Sequence, residues 1–159
     1  MRAHDARLRL QRGFTLVELL TTVTVAAILL GVGVPAFQQL IAAQRMRSAS
    51  YDLVSDLVLA RSEALKRGMQ VRMAPVTGGW GAGWVVQPVG GSEPLASHDT
   101  LGRVQVLGAP ASITFDLQGR VTGATTTVRI GLSDGSTRQR CISLDPSGRP
   151  RAVSTECPS

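Results

Sequence analysis

The chain has 159 residues, with 17 basic against 11 acidic side chains, a net charge of +6 and a sequence pI near 10.9. Hydrophobic residues at 43% can build a core, and charged residues at 18% are too few for a disordered chain, so one folded basic domain is expected. Lys66 is the only lysine; the arginine charge bears on acidic partners and membrane surfaces rather than on fold.

Residues 1–13 carry Arg2, Arg7, Arg9 and Arg12 against Asp5 and end at Gly13. From Phe14 to Gln44 the only charge is Glu18, and Leu19 to Val34 reads LLTTVTVAAILLGVGV. As a helix, Phe14 to Val34 is about 31 Å long, which matches the roughly 30 Å hydrocarbon core of a bilayer. The arginines ahead of it place the N-terminus in the cytoplasm and the rest of the chain on the far side. A secretory signal cleaved near Val34-Pro35-Ala36 is the rival reading, but this apolar run is longer than a usual signal core and contains a carboxylate. A carboxylate inside a spanning segment is costly unless it finds a partner or reaches the headgroups, which makes Glu18 a functional residue to be explained.

After Pro35 the pattern becomes amphipathic. Phe37, Leu40 and Ile41 are followed by Leu53, Val54, Leu57, Val58, Ala60, Ala64 and Leu65 at helical spacing, with Arg47, Asp52, Asp56, Arg61, Glu63 and Lys66 mostly off that stripe. One long helix is expected, closed by Lys66-Arg67-Gly68, where cations suit the helix C-terminus and glycine takes a left-handed cap. Of 17 glycines 14 lie at or after Gly68, so the remainder should be strands and turns. Expected strands are Met69 to Ala74, Trp84 to Pro88, Arg103 to Leu107, Ser112 to Leu117, Thr125 to Leu132 and Arg138 to Leu144, with Ser133-Asp134-Gly135-Ser136 as the clearest hairpin turn. The fold class is α+β, with a long N-terminal helix packed on an antiparallel β head. Trp80, Trp84 and Phe115 belong in its core; stacking of the tryptophans on nucleic-acid bases is the alternative.

The chemistry-bearing residues exclude more than they suggest. Cys141, Cys157, His4 and His98 have no zinc-ligand spacing, and no nucleophile, base and orienting group come together, so neither an enzyme nor a metal or cofactor site is expected. His98 reads as a solvated residue in a Gly90 to Asp99 loop. The run Gly78-Gly79-Trp80-Gly81-Ala82-Gly83 reads as a turn, since it lacks the phosphate-loop pattern.

Gly13-Phe14-Thr15-Leu16-Val17-Glu18-Leu19-Leu20 resembles the leader of type IV prepilins and type II secretion pseudopilins. The resemblance implies that residues 1–13 are a leader that a prepilin peptidase removes by cutting between Gly13 and Phe14. It implies that Phe14 is then N-methylated, that 14–36 is a transmembrane and filament-core helix continued by 37–68, and that 69–159 is the head. It also supplies a partner for Glu18, the free N-terminal amine of a neighbouring subunit, which would compensate a buried charge. Pro35 fits the helix kink common in pilins. Ala60 to Arg67, Gly79-Trp80 with Gly83-Trp84, and Ile113-Thr114-Phe115 with Gly119-Arg120 are similar to the GspH/FimT family of minor pilins and pseudopilins, which implies an inner-membrane subunit with a periplasmic head that passes into a pilus among other major and minor pilins.

A Cys141–Cys157 bond would close a 17-residue loop, and a head outside the cytoplasm favours it over two free thiols. The loop holds Gly148-Arg149-Pro150-Arg151, which matches the GRxR pattern that FimT-type minor pilins use to bind DNA during natural transformation. Pro150 biases Arg149 toward an extended conformation, in which Arg149 and Arg151 face one side about 6.6 Å apart. Two guanidinium forks suit a phosphate backbone without regard to base sequence. Arg138 and Arg140, at the same spacing, are expected to widen the patch. The alternatives are a solvated arginine rim, an Asp145 ion pair, or a structural GspH-type subunit of type II secretion or pilus priming with no ligand.

Overall fold

The computed structural model describes residues 14–123, 126–133, 138–153 and 157. The leader with Gly13, and Asp134, Gly135 and Ser136 of the expected hairpin turn, lie outside the described residues. The chain divides into two compact units, one up to Gln39 and one from Leu40 onward. The α-helix among the described residues, α1, runs Leu16–Arg67, and a short 3-10 turn of helix spans Trp80–Ala82.

The first unit is apolar and uncovered. Its described residues are all exposed, Phe14 at 82% and Leu29 at 67% among them. It is long and apolar enough to cross a membrane by length and composition. The first turn is closed by Thr15, whose Oγ1 accepts the Glu18 N–H at 3.2 Å, as a helix N-cap does. Pro35 lies inside the helix and leaves the Gly31 carbonyl without its usual donor.

In the second unit α1 turns one face inward. Met46, Ala49, Leu53, Leu57, Ala60 and Ala64 are buried at spacings of three and four, so they form one stripe. Val58 and Leu65, expected on that stripe, are instead about half exposed. The helix ends as expected. Gly68 has φ +61°, and the Met69 N–H reaches back to the Ala64 carbonyl at 3.3 Å, which satisfies a terminal carbonyl.

Among the described residues eight strands follow: β1 Val71–Pro75, β2 Trp84–Pro88, β3 Ala96–His98, β4 Val104–Leu107, β5 Ile113–Phe115, β6 Thr126–Leu132, β7 Gln139–Leu144 and β8 Pro150–Val153. They form two antiparallel sheets, ordered β3-β2-β1-β5 and β4-β6-β7-β8. Six match expected strands within two residues. Both that were not expected, β3 and β8, are short edge strands, where a weak apolar pattern is normal because one side has no strand partner. Pro150 can open β8 because a proline at the start of an edge strand removes no needed ladder bond.

The sheets and α1 share one core. Val71, Met73, Trp84, Val86 and Phe115 come from the first sheet, and Val128, Ile130, Ile142 and Leu144 from the second. Every buried residue among those described lies at or after Met46, so the unit from Leu40 keeps its whole core when the preceding segment is removed. Trp80, Trp84 and Phe115 are buried, as expected, and the tryptophan N–H groups are used internally. Trp80 Nε1 donates to the Pro110 carbonyl at 2.8 Å and Trp84 Nε1 to Asp56 Oδ2 at 2.7 Å. Buried rings offer no face for base stacking. His98 is not a free loop residue: it lies in β3, stacks on Trp84 at 4.3 Å, and places Nε2 3.3 Å from Asp52 Oδ2.

Candidate nucleic-acid interface

Residues 145–149 connect β7 to β8 in a tight turn. The Gly148 N–H donates to the Asp145 carbonyl at 2.9 Å, the Asp145 N–H pairs with the Arg149 carbonyl at 3.5 Å, and Gly148 takes φ +79°. That is a turn followed by a left-handed residue, a hairpin form that requires glycine at its fourth place. Asp145 fills the inside of the turn: its Oδ1 accepts the Ser147 hydroxyl and the Arg149 N–H. The Ser147 hydrogen bond first, then that of Arg149, holds the Asp145 carboxyl below its usual range, so it stays ionised at neutral pH.

Gly148 is buried although its neighbours Ser147 and Arg149 are exposed. A Cβ on Gly148 would lie 2.2 Å from the Gly119 carbonyl oxygen and 3.1 Å from Arg61 Nε. Arg61, on α1, donates from Nε to that same Gly119 carbonyl at 2.9 Å, and the Val121 N–H donates to the Pro146 carbonyl at 3.3 Å. The turn is thus seated on the 116–121 loop by backbone contacts and on the helix through the Arg61 side chain. Arg61 is the residue whose role sequence reasoning missed; its place beside the stripe carried no sign of the loop it meets.

The register sorts the arginines. Arg151 lies opposite Ser143 and Arg129 opposite Cys141, on the face of the second sheet away from the core. Arg149 pairs with Asp145 one step beyond Leu144↔Pro150, and by alternation shares that face with Arg151. Both are exposed. Arg140 lies opposite Ile130, in line with Ile142 and Leu144, on the core-facing side; it is half-buried, with Nε unpartnered. Arg138 is exposed ahead of β7 and has the alternation of Arg140. Arg140 therefore lies on the other face of the strand from Arg151, because a strand's faces alternate, while Arg138 precedes the paired residues and its part in the patch stays a proposal. Arg129 shares the outer face, with its guanidinium beside Gly108.

Cys141 and Cys157 are disulfide-bonded with Cα atoms 5.3 Å apart, and Cys141 stands on that outer face next to β8. The ion pairs among the described residues join Glu63 to Lys66 and Arg67, and Asp52 to His98; none involves Arg149 or Arg151. The expected alternative of an Asp145 ion pair is not seen among them. No group of three or more His, Cys, Asp or Glu side chains among the described residues is placed to hold a metal.

Residues 49–148 match the family model of the type II transport protein GspH. The chain belongs to the GspH family. Residues 8–34 match the prokaryotic N-terminal methylation motif, which agrees with the leader and apolar helix of this GspH-family chain. Its fold is similar to the crystal structure of the type IV minor pilin FimU of Pseudomonas aeruginosa PAO1, with a TM-score of 0.61 at 22% identity over 70% of this chain and 90% of that one. FimU in a second space group gives 0.58 at 24% identity over 67% and 91%. The minor pseudopilin EpsH of the type 2 secretion system of Vibrio cholerae gives 0.52 at 15% identity over 69% and 97%. At such identities the likeness establishes the fold, a pilin-like helix on antiparallel sheets. No curated protein sequence matches the chain significantly.

Proposed function

We propose that this GspH-family chain is a minor pilin of a type IV pilus whose head binds DNA through the phosphate backbone, supporting DNA uptake in natural transformation as well as pilus assembly. The observation that carries the reading is the pair Arg149 and Arg151: both exposed, on one face of a glycine-seated hairpin, and outside the ion pairs among the described residues. A rigid turn costs little ordering on binding, and paired guanidinium forks contact phosphates whatever the base sequence. In the same proposal a prepilin peptidase cuts after Gly13, Phe14 is N-methylated, and Glu18 pairs with a neighbouring subunit's N-terminal amine during assembly. The chain enters the inner membrane with its N-terminus cytoplasmic and its head periplasmic, where a disulfide persists. It then joins other pilins outside. The chain carries out no catalysis.

The second reading is a structural GspH-type subunit with no ligand. It is favoured by the family match ending at Gly148, immediately before the arginine pair. Binding of the head, residues 40–159, to a labelled DNA duplex across a salt series decides between them. With one phosphate contact each from Arg149 and Arg151, Arg149→Gln with Arg151→Gln should weaken binding at least tenfold and reduce the slope of log K against log salt by about 1.8. Equal binding by the double variant and the parent head would leave the structural reading in place.

A further inference from the structure

The turn that carries Arg149 has a twin. Asp116-Leu117-Gln118-Gly119-Arg120 and Asp145-Pro146-Ser147-Gly148-Arg149 share the pattern Asp-x-x-Gly-Arg, and they fold alike. In each, the aspartate N–H donates to the arginine carbonyl, at 2.8 Å for Asp116 and 3.5 Å for Asp145, and the glycine N–H returns to the aspartate carbonyl at 2.9 Å. In each, the arginine N–H donates to the aspartate Oδ1, at 2.8 Å and 3.2 Å. Both glycines are left-handed, with φ of 69° and 79°.

The two turns also touch, at Gly148 against the Gly119 carbonyl, with Arg61 donating to that carbonyl and Val121 reaching Pro146. Consecutive Cα atoms are 3.8 Å apart, so the Gly148–Gly119 contact holds the Cα atoms of Arg120 and Arg149 within about 11 Å of each other. Both arginines occupy the fifth place of their turn, and both are exposed. The carboxylates built into the turns accept backbone and hydroxyl hydrogen bonds, and among the described residues no ion pair involves Arg120.

We infer that Arg120 and Arg149 form one composite phosphate-binding site on these twinned turns, so that a DNA strand held by Arg149 and Arg151 also engages Arg120. The inference rests on the DNA-binding reading above and extends it to a residue outside the arginine motif. Three exposed guanidinium groups on backbone-locked supports offer bidentate donors to the phosphates of one strand, and each contact releases counterions independently of sequence. Arg61, spent on the Gly119 carbonyl, is a positioning residue for the pair of turns.

The test uses the full chain in detergent micelles with a fluorescein-labelled 20-base-pair DNA, read by anisotropy over a sodium chloride series. Arg120→Gln should weaken binding about threefold to tenfold and lower the salt slope by about 0.9, while Arg120→Lys, which keeps the charge, should hold the parent slope. The Arg120 side chain makes no hydrogen bond among the described residues, so both variants should melt with the parent. If Arg120→Gln matches the parent in affinity and slope while the Arg149→Gln, Arg151→Gln variant loses binding, the composite site is wrong and the DNA-binding reading stands. If the double variant also binds like the parent, the DNA-binding reading fails and the composite site with it.

Discussion

Gly148 answers two demands at one backbone position. Its φ of +79° is one that side-chain-bearing residues rarely adopt, and the space where a Cβ would go is filled by the Gly119 carbonyl oxygen at 2.2 Å. Backbone atoms cannot step aside as a flexible side chain can. Gly148→Ala should therefore cost the head about 2 kcal/mol in urea unfolding, the left-handed strain alone being of order 1–3 kcal/mol. It should also weaken DNA binding, because the turn must lift from Gly119 and Arg61 and take Arg149 with it. A variant that unfolds with the parent would mean that the turn is not seated as described. The glycine was legible in the sequence as part of a four-residue motif, but only as a neighbour of the arginines. Its packing role depends on Gly119 and Arg61, residues remote in sequence, and no local pattern announces such a contact.

β8 is held at the edge of its sheet by pairing with β7 on one side and by the bond from Cys157 to Cys141. An edge strand of four residues has few ladder bonds to keep it in place, so the covalent closure matters more here than it would for a central strand. Closing a 17-residue loop is worth about 3 kcal/mol in the chain-entropy account. Cys141→Ala with Cys157→Ala should lower head stability by that amount in chemical denaturation. It should also weaken DNA binding a few-fold, since Arg151 would then be ordered at the expense of binding energy; identical melts with and without reductant for the parent head would contradict this. Elements with strong internal patterning were legible: α1 from its three-and-four spacing and Gly68 cap, and β2, β6 and β7 from β-branched and apolar runs between turn residues. β3 and β8 were not, because an edge strand need be apolar on neither face. His98 was misplaced for the same reason, as its strand is defined by pairing with Trp84 rather than by its own residues.

Across the whole molecule the +6 charge divides by role. Residues 1–13 carry four arginines against Asp5, and in the proposed topology their charge keeps the N-terminus cytoplasmic. Purified from a host with a prepilin peptidase, the chain should begin at Phe14 and carry one added methyl group, as intact-mass measurement would show; a start near Ala36 would indicate an ordinary secretory signal instead. Glu18→Ala should leave that processing intact and abolish incorporation into filaments, scored by immunoblot of sheared pili. The apolar helix and the α+β class were readable from the sequence, because each is a local or compositional signal: a run of apolar residues, a helical period, a shift to glycine-rich turns. Only the tertiary structure decided which arginines share a face. Strand register separates Arg140 from Arg151, and the docking of two distant turns brings Arg120 beside Arg149. Register and docking arise from pairing between segments far apart in the chain, and alternation alone cannot say which of a strand's two faces meets the core.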